Sequence, residues 1–436
     1  MEVTKTVRVP VHHLLTKRKL SIMNRLTARM SYGVGLFSQL IEQRNMRVEH
    51  YGEFSRSDIA EIGKITKLQI AYVQECRDQA LWLWRSYQTR HAEWEKRYKY
   101  AKGKWREKLA RREPHKPFYR GMQSKIPVRI DKRMGSVEAS EQMKLSSYVI
   151  RLSTLKKGCR VTIPLNPVEY HKNLLRQGRI VDFQLIKRDG RFYAHICVKY
   201  TTPDRPVHGV RAIDLGVRRA VATVLLTPNG PLRRRDFAML SDGEERHRLN
   251  MLNRRFAKLQ TARMWQLLKH LRHKRRHVAD YTDRLIAKKV ADMAERESAM
   301  VVVGYPKEVK YDNYRGNGKP GLRRTMHRHF RYGRRIRYIL DECAERGIEA
   351  ETVFEAWTSK RCHRCSSTNT RRISQALFWC LDCGLHYDAD WNAAINIGQL
   401  VFAERLGRWA TEGLAYAGDE LTYKPASPEV RNMLMS

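Results

Sequence analysis

Four cysteines carry the clearest chemistry in this chain. Cys362, Cys365, Cys380 and Cys383 are spaced C-x2-C-x14-C-x2-C. Two such knuckles across a short loop set four thiolates around one tetrahedral ion, the arrangement of a structural Zn²⁺ site. Four thiolates leave that ion no open position, so the expected role is architectural. The remaining cysteines, Cys76, Cys159, Cys197 and Cys343, are isolated in the sequence and read as reduced thiols, which fits a disulfide framework poorly. His363 sits inside the first knuckle as a rival ligand. With Lys360, Arg361 and Arg364 around it, a solvent-facing or phosphate-facing place is expected for it instead.

The second chemical signal is charge. In 436 residues there are 85 Lys and Arg against 45 Asp and Glu, a formal net charge of +40. A charge of this size strains a compact fold unless a polyanion neutralises it. The cations are spread over stretches such as 96–112, 246–276 and 323–337 rather than gathered in one juxtamembrane cluster. Distributed charge suits a long phosphate backbone, bound through counterion release. No apolar run approaches the roughly 18 residues of a membrane span. The opening MEVTKTVRVPVHH has no apolar core of a signal peptide, so none is expected. With 42% hydrophobic and 9% aromatic residues the chain has enough to bury, which excludes disorder throughout. A soluble, intracellular protein of several structural units that seeks nucleic acid is the expectation, with no membrane partner.

Positioning these groups requires elements of three textures. The first opens with a strand over 2–11, with Val3, Val7, Val9 and Val11 mostly on one face, followed by a basic amphipathic helix over about 14–43. Asp58, with Glu61 three residues on, reads as a capping box for a helical stretch that runs with breaks to about 112, where Pro114 and Pro117 end it. Trp82, Trp84, Trp94, Tyr98, Tyr100 and Trp105 alternate with cations there. As a set they suit base stacking, but at helical spacing each taken singly favours the core. Between 126 and 202 the pattern becomes short strands, with Asp189-Gly190 as a hairpin turn. The third texture holds a strand over 210–214, a hairpin partner over 220–227 and a long basic helical stretch over 244–296. An all-apolar strand over 300–303, basic helical residues over 323–346, a strand over 348–355 and a helix beginning near 388 complete it.

In this order the motifs carry a resemblance. Ala212-Ile213-Asp214-Leu215-Gly216 is followed by a VVV strand and then by Thr358-Ser359-Lys360-Arg361-Cys362-His363-Arg364-Cys365. Cys380-Leu381-Asp382-Cys383-Gly384 and Asp388-Ala389-Asp390-Trp391-Asn392-Ala393-Ala394-Ile395-Asn396-Ile397 come next. The set resembles the transposon-encoded TnpB nucleases and their descendants, the compact type V CRISPR effectors. The resemblance covers about 210–397 by motif and the N-terminal half by layout only. It implies an α+β multidomain fold, in which a basic β-barrel-like wedge domain with a helical recognition insertion precedes an RNase H-like (RuvC) nuclease domain with an inserted zinc ribbon. The implied boundaries are 1–13 for the first wedge strand, 14–125 for the helical region and 126–206 for the rest of the wedge domain. The nuclease domain takes 207–357, the ribbon 358–386, the last nuclease segment 387–412 and a polar tail 413–436.

The resemblance also implies an RNA-guided DNA endonuclease that hydrolyses phosphodiesters by the two-metal Mg²⁺ route, for which clustered carboxylates are needed. Asp214, ending the first core strand, matches the bridging acid, and Asp390, opening the last helix, matches the final one. Asp388 reads as an N-cap or an exposed neighbour. The middle acid departs from the pattern, because Gly304 stands where the family has a Glu after the apolar strand. Either activity is lost or another carboxylate has moved in. Glu355 is the expected replacement, since adjacent strands lie about 4.8 Å apart and a Glu on the next strand reaches the same ions, with Gly304 leaving it room. Glu308 and Glu351 are weaker candidates. Arg323, Arg324, Arg328, Arg334, Lys360 and Arg361 are the candidate nucleic-acid contacts.

The implied partners are a guide RNA, transposon-derived or CRISPR RNA, and double-stranded target DNA beside a short adjacent motif. Base pairing would carry specificity while protein grips backbone and shape. A second copy of so small an effector would help to cover the duplex. The implied compartment is the prokaryotic cytoplasm, at the nucleoid when on DNA. Two other readings stay open: an RNA-guided DNA binder without cleavage, and a DNA transposase, against which the TSxxC-plus-ribbon order argues.

Overall fold

The structure, a computed structural model, describes residues 1–48, 54–118, 126–140, 145–156, 158–216, 219–228, 232–241, 243–305, 332–374 and 376–411. The chain divides into two compact units, one of Glu2–Thr201 and one of Thr202–Ser436 together with Met1. Among the described residues no helix is long and apolar enough to cross a membrane.

In the first unit, β1 (Glu2–Pro10) alternates exposed polar residues with buried Val3, Val7 and Val9. It pairs antiparallel with β7 (Arg191–Thr201). β7 pairs in turn with β6 (Arg179–Arg188), and β6 with β2 (Val128–Ile130). The β6–β7 hairpin turns on Asp189 and Gly190, at φ of 50° and 78°. Both are left-handed, as a tight Asp-Gly turn requires. A second sheet, β3 (Gly135–Ala139), β4 (Tyr148–Ser153) and β5 (Arg160–Pro164), meets the first through an isolated bridge between Val11 and Leu165. The expected β-barrel-like wedge domain is thus corrected to two open sheets, and no closed barrel exists among the described residues. One edge strand ends at Pro10, which has no N–H to extend the ladder, and the other edge, β2, is only three residues long.

Between β1 and β2 in the chain come α1 (Lys17–Gln43), α2 (Arg56–Thr66), α3 (Ile70–Lys99) and α4 (Gly103–Ala110), and α5 (Glu169–Gln177) lies between β5 and β6. The capping box of α2 lies three residues earlier than expected. Ser55 is the N-cap, Asp58 reaches back from the third position, and Arg44 grips Asp58 with two hydrogen bonds of 2.9 and 2.6 Å. Tyr72, Val73, Cys76, Ala80, Leu81, Trp84 and Tyr87 form the buried stripe of α3, which stops at Tyr87. Beyond the stripe α4 lies against the helix, with Trp94 donating to the Leu109 carbonyl (2.9 Å), while Tyr100 and, on α4, Trp105 are exposed. Trp82, on the other face of α3, is exposed too. Of this aromatic set Trp84 belongs to the core.

The second unit is built on a five-stranded sheet in the order β10 (Phe237–Leu240), β9 (Val221–Leu226), β8 (Gly209–Asp214), β11 (Ala299–Tyr305), β12 (Ala350–Phe354). β8, β11 and β12 are parallel, and β9 runs antiparallel to both of its neighbours, β8 and β10. Helices α6 (Gly243–Thr261), α7 (Trp265–Arg296) and α8 (Tyr332–Glu345) follow the first strands, and α9 (Ala389–Thr411) closes the order. Both faces of the sheet are buried, which explains the unbroken apolar run of β11. Val301 and Val303 pack with Ile286 and Val290 of α7 and Ile336 and Ile339 of α8. Met300 and Val302 pack with Ala394, Ile395, Ile397 and Val401 of α9. Each such residue contributes about 1.5–3 kcal/mol when fully buried.

Three ion pairs lock this core. Arg211, only 1% exposed in the middle of β8, donates to Glu297 through Nε (2.8 Å) and Nη2, and to the Asp236 carbonyl (3.0 Å). On the same helical layer Asp283 of α7 accepts from both Arg334 and Arg335 of α8. A buried cation is tolerated at such places only because its donors are met by a carboxylate and a carbonyl. A small sheet of β13 (Thr370–Arg372), β14 (Leu377–Cys380) and β15 (His386–Asp388) precedes α9 directly.

Candidate metal centres

The four cysteines come together as their spacing predicts. Their sulfurs all lie within 4.8 Å of one another. Cys362 Sγ is 3.7 Å from Cys383 Sγ, and Cys365 Sγ is 3.5 Å from Cys380 Sγ. All four are unbridged. Sulfurs held about 2.3 Å from one tetrahedral ion stand roughly 3.8 Å apart, so the spacing fits a four-thiolate metal site. β14 supplies Cys380, and the Cys380 N–H donates to the Leu385 carbonyl (2.9 Å) across the second knuckle, which turns at Gly384 with φ 68°.

Two asparagines that the sequence reading passed over bind this cluster to α9. Asn392 is fully buried. It donates to the Arg361 carbonyl (2.9 Å) and accepts from the His363 N–H (3.1 Å). Asn396 donates to the carbonyls of Thr358 (2.8 Å) and Arg361 (2.7 Å). Their signal was present: polar residues four apart inside an apolar helical run share one face, and buried amides there need partners. His363 is half-buried beside the cluster. Its ring packs on Tyr387 (4.7 Å between centroids), and its Nδ1 lies 2.9 Å from Asn392 Oδ1.

The candidate acids come from three elements of one sheet end. Asp214 is the last residue of β8, and Glu355 follows the last residue of β12. Gly304 on β11 is paired with Val353. A Cβ at Gly304 would stand 2.6 Å from Glu355 Oε2 and 2.6 Å from Ile397 Cδ1, so the Glu355 carboxylate occupies the space that a side chain at 304 would fill. Thr358 fixes the following turn by donating from N (3.3 Å) and Oγ1 (2.9 Å) to the Glu355 carbonyl. Asp390 lies in the first turn of α9. Asp388 caps that helix, accepting at Oδ1 from the N–H groups of Asp390 (2.9 Å) and Trp391 (3.2 Å).

Burial and mutual repulsion show in the protonation of these acids. Burial first, and then the charge of Asp390, pushes the Asp214 carboxyl up to about 7. Burial and the charge of Asp214 push Glu355 up to about 8. Asp390 is also raised, by burial and by Asp388, against the opposing pull of Arg219 and Arg372. Arg219 Nη1 lies 2.9 Å from Asp388 Oδ2 and 3.4 Å from Asp390 Oδ2, and Arg372 Nη2 lies 3.4 Å from Asp390 Oδ1. The three acids thus feel one another, yet among the described residues only the cysteine set gathers its ligand atoms within 4.8 Å. Glu351 lies four residues before Glu355 on β12, paired with Val302. Glu308 is outside the described residues.

The candidate nucleic-acid cations divide. Lys360 is exposed and lies over the Trp357 ring, 4.9 Å from its centroid. Arg361 is 6% exposed and donates to Ser366 Oγ (2.7 Å), and Arg334 is turned onto Asp283. These two guanidiniums serve internal contacts. Arg323, Arg324 and Arg328 lie outside the described residues.

A family model described as Cas12f1-like, TNB domain, matches residues 332–397, the stretch that holds Glu355, the four cysteines and Asp390. The chain is 27% identical over 227 residues to the CRISPR-associated endodeoxyribonuclease Cas12f1 of Sulfoacidibacillus thermotolerans, covering 48% of this chain and 50% of that protein. It therefore spans about half the length of this curated relative. The structure superposes on a Cas12f1–sgRNA–target DNA complex with a TM-score of 0.56 at 12% identity, covering 91% of this chain and 99% of that one. The fold is the mixed α/β, multidomain architecture of the Cas12 effectors. The matching domain, the curated relative and the superposed complex make the chain similar to the compact type V CRISPR effectors.

Proposed function

We propose that the protein is an RNA-guided DNA endonuclease whose cleavage site is formed by Asp214, Glu355 and Asp390 on an RNase H-type (RuvC-like) sheet. One observation carries the reading: the Glu355 carboxylate fills the side-chain space left by Gly304 of β11, so a third acid reaches from the end of β12 across the intervening strand toward Asp214. The donor set, three carboxylates at one sheet end, suits hard divalent ions such as Mg²⁺ better than any other common group. Two such ions would supply the positive charge that the attacking and leaving oxygens of a phosphodiester need. Asp214, Glu355 and Asp390 would be the residues that hold them. Arg219 and Arg372 keep Asp390 oriented in the meantime.

The four cysteines hold a structural Zn²⁺ in this reading, and Asn392 and Asn396 transmit the ribbon's position to the helix that bears Asp390. The Cas12f1 relative is named an endodeoxyribonuclease, and the superposed complex contains sgRNA and target DNA. The +40 charge of this chain agrees with partners of the same kind, a guide RNA and DNA beside a short adjacent motif.

Plasmid cleavage tests the proposal. The ribonucleoprotein is purified with its co-expressed RNA and incubated with guide-matched DNA in Mg²⁺. Cleavage that disappears in Asp214→Ala and in Glu355→Ala is the expected outcome. Guide-dependent binding without any cutting by the unmodified protein would sink the nuclease reading.

A further inference from the structure

Trp357 stands two residues beyond Glu355, in the turn that leads from β12 into the cysteine loop. Its backbone lies at φ 64°, the left-handed region that glycine enters freely and a bulky side chain avoids. Its carbonyl accepts from the N–H groups of Lys360 and Arg361, both at 2.8 Å. Any residue could make those two bonds, so they do not explain the choice of tryptophan. Burial does not explain it either, because Trp357 is 51% exposed. Its ring carries the Lys360 ammonium, 4.9 Å from the centroid. Strain retained without a gain in packing points to function.

The surroundings indicate which function. Tyr305 and Phe354, paired across β11 and β12, are exposed aromatics at the same end of the sheet. An aromatic ring edged by a cation offers a face for a base and a charge for the phosphate beside it. A lipid or an apolar peptide has no use for the ammonium. A base pair inside a duplex has both faces covered by its neighbours, which leaves an unpaired base as the fitting occupant.

We propose that Trp357 is the stacking platform for an unpaired nucleobase of the strand presented to the acidic site, with Lys360 taking the adjoining phosphate. The proposal rests on the nuclease reading above and adds a residue that positions the strand for it.

The test uses the full-length ribonucleoprotein and single-stranded oligonucleotides carrying 2-aminopurine at successive positions, with binding read in EDTA and cleavage in Mg²⁺. The unmodified protein should quench the probe at one or two adjacent positions. Trp357→Phe should keep that signature, and Trp357→Ala should lose it. Trp357→Ala should also raise KM for single-strand cleavage about 5- to 100-fold with kcat little changed. Trp357→Gly relaxes the backbone and so controls for unfolding: it should melt no lower than the unmodified protein and still lose the quenching. Quenching that is uniform along the strand, or an unchanged KM in Trp357→Ala, overturns the platform. An unmodified ribonucleoprotein that quenches at one position but never cuts overturns the nuclease reading and leaves the platform standing.

Discussion

The cysteine cluster and the acidic cluster sit in the same unit, yet they are assembled by opposite means. The cysteines lie within 22 residues of sequence, on two knuckles of one small sheet, and their sulfurs already stand within 4.8 Å of each other. The acids come from residues 214, 355 and 390, on three elements that only tertiary packing brings together. Thiols can be protonated and crowd at little cost, whereas carboxylates in a poorly solvated place repel and hold protons. Hence Asp214 and Glu355 are pushed up to about 7 and about 8, while Arg219 and Arg372 balance Asp390. A local site is preformed by its loop. A site gathered from afar stays strained until positive charge arrives.

The contrast can be broken most severely at the cysteines. Cys362→Ser, or stripping metal with a chelator, should unfold the ribbon, since a structural zinc site is worth about 10–16 kcal/mol in small peptides. The measurement is thermal melting, in which the transition of Glu2–Thr201 should remain while that of the second unit falls. Survival of both transitions would deny the cluster its architectural role.

Glu355→Gln separates function from stability on the acidic side. Cleavage should fall by about 10³-fold or more, as for removal of a group acting in the transition state. Stability of the metal-free protein should rise at alkaline pH, because the substitution removes a buried charge. The sign follows from the raised values. Folded Asp214 and Glu355 bind protons more tightly than the unfolded chain, so their contribution is intact below about pH 4 and is lost as pH climbs through about 7–8. Melting in EDTA should therefore be lower near pH 8.5 than near pH 6, and Glu355→Gln should narrow that gap, by roughly 2–4 °C per kcal/mol. Equal gaps in the two proteins would mean that Glu355 is ionised without cost.

Gly304→Ala sharpens the point sterically. Its Cβ meets both Glu355 Oε2 and Ile397 Cδ1 at 2.6 Å. We expect a loss of about 1–3 kcal/mol by urea denaturation and a clear fall in cleavage as Glu355 is displaced. The smallest effect should come from Asn396→Ala, which leaves the Thr358 carbonyl unmet while that of Arg361 keeps Asn392, and costs about 1 kcal/mol. Because it acts on the position of the ribbon rather than on the acids, its cleavage defect should be modest. A defect equal to that of Glu355→Gln would merge the two clusters into one functional unit.

Much of this was legible before folding. The hairpin at Asp189-Gly190, the buried valines of β1 and the apolar strand β11 follow from turn chemistry and from period-two or continuous apolar patterns. The capping box was misplaced because Ser55, Asp58 and Glu61 share the same three-residue spacing, and only the Arg44 contact picks out the pair that is used. The aromatics of α3 and α4 were not separable by type. Trp84 is buried against Tyr87 and Phe118, while Trp82 and Trp105 are exposed.

Sequence alone determined the cysteine site and the inward alternation of the strands, because both depend on residues a few positions apart. It also determined the polyanion-seeking charge, which is a sum indifferent to arrangement. Tertiary structure alone decided that Glu355 enters the space of Gly304, that Arg334 and Arg361 turn inward, and that Asn392 and Asn396 clamp the ribbon to α9. Those outcomes turn on ångström-scale contacts between segments far apart in the chain. No local pattern encodes such contacts, since the volume left by one missing side chain acquires a meaning only when another strand is laid beside it.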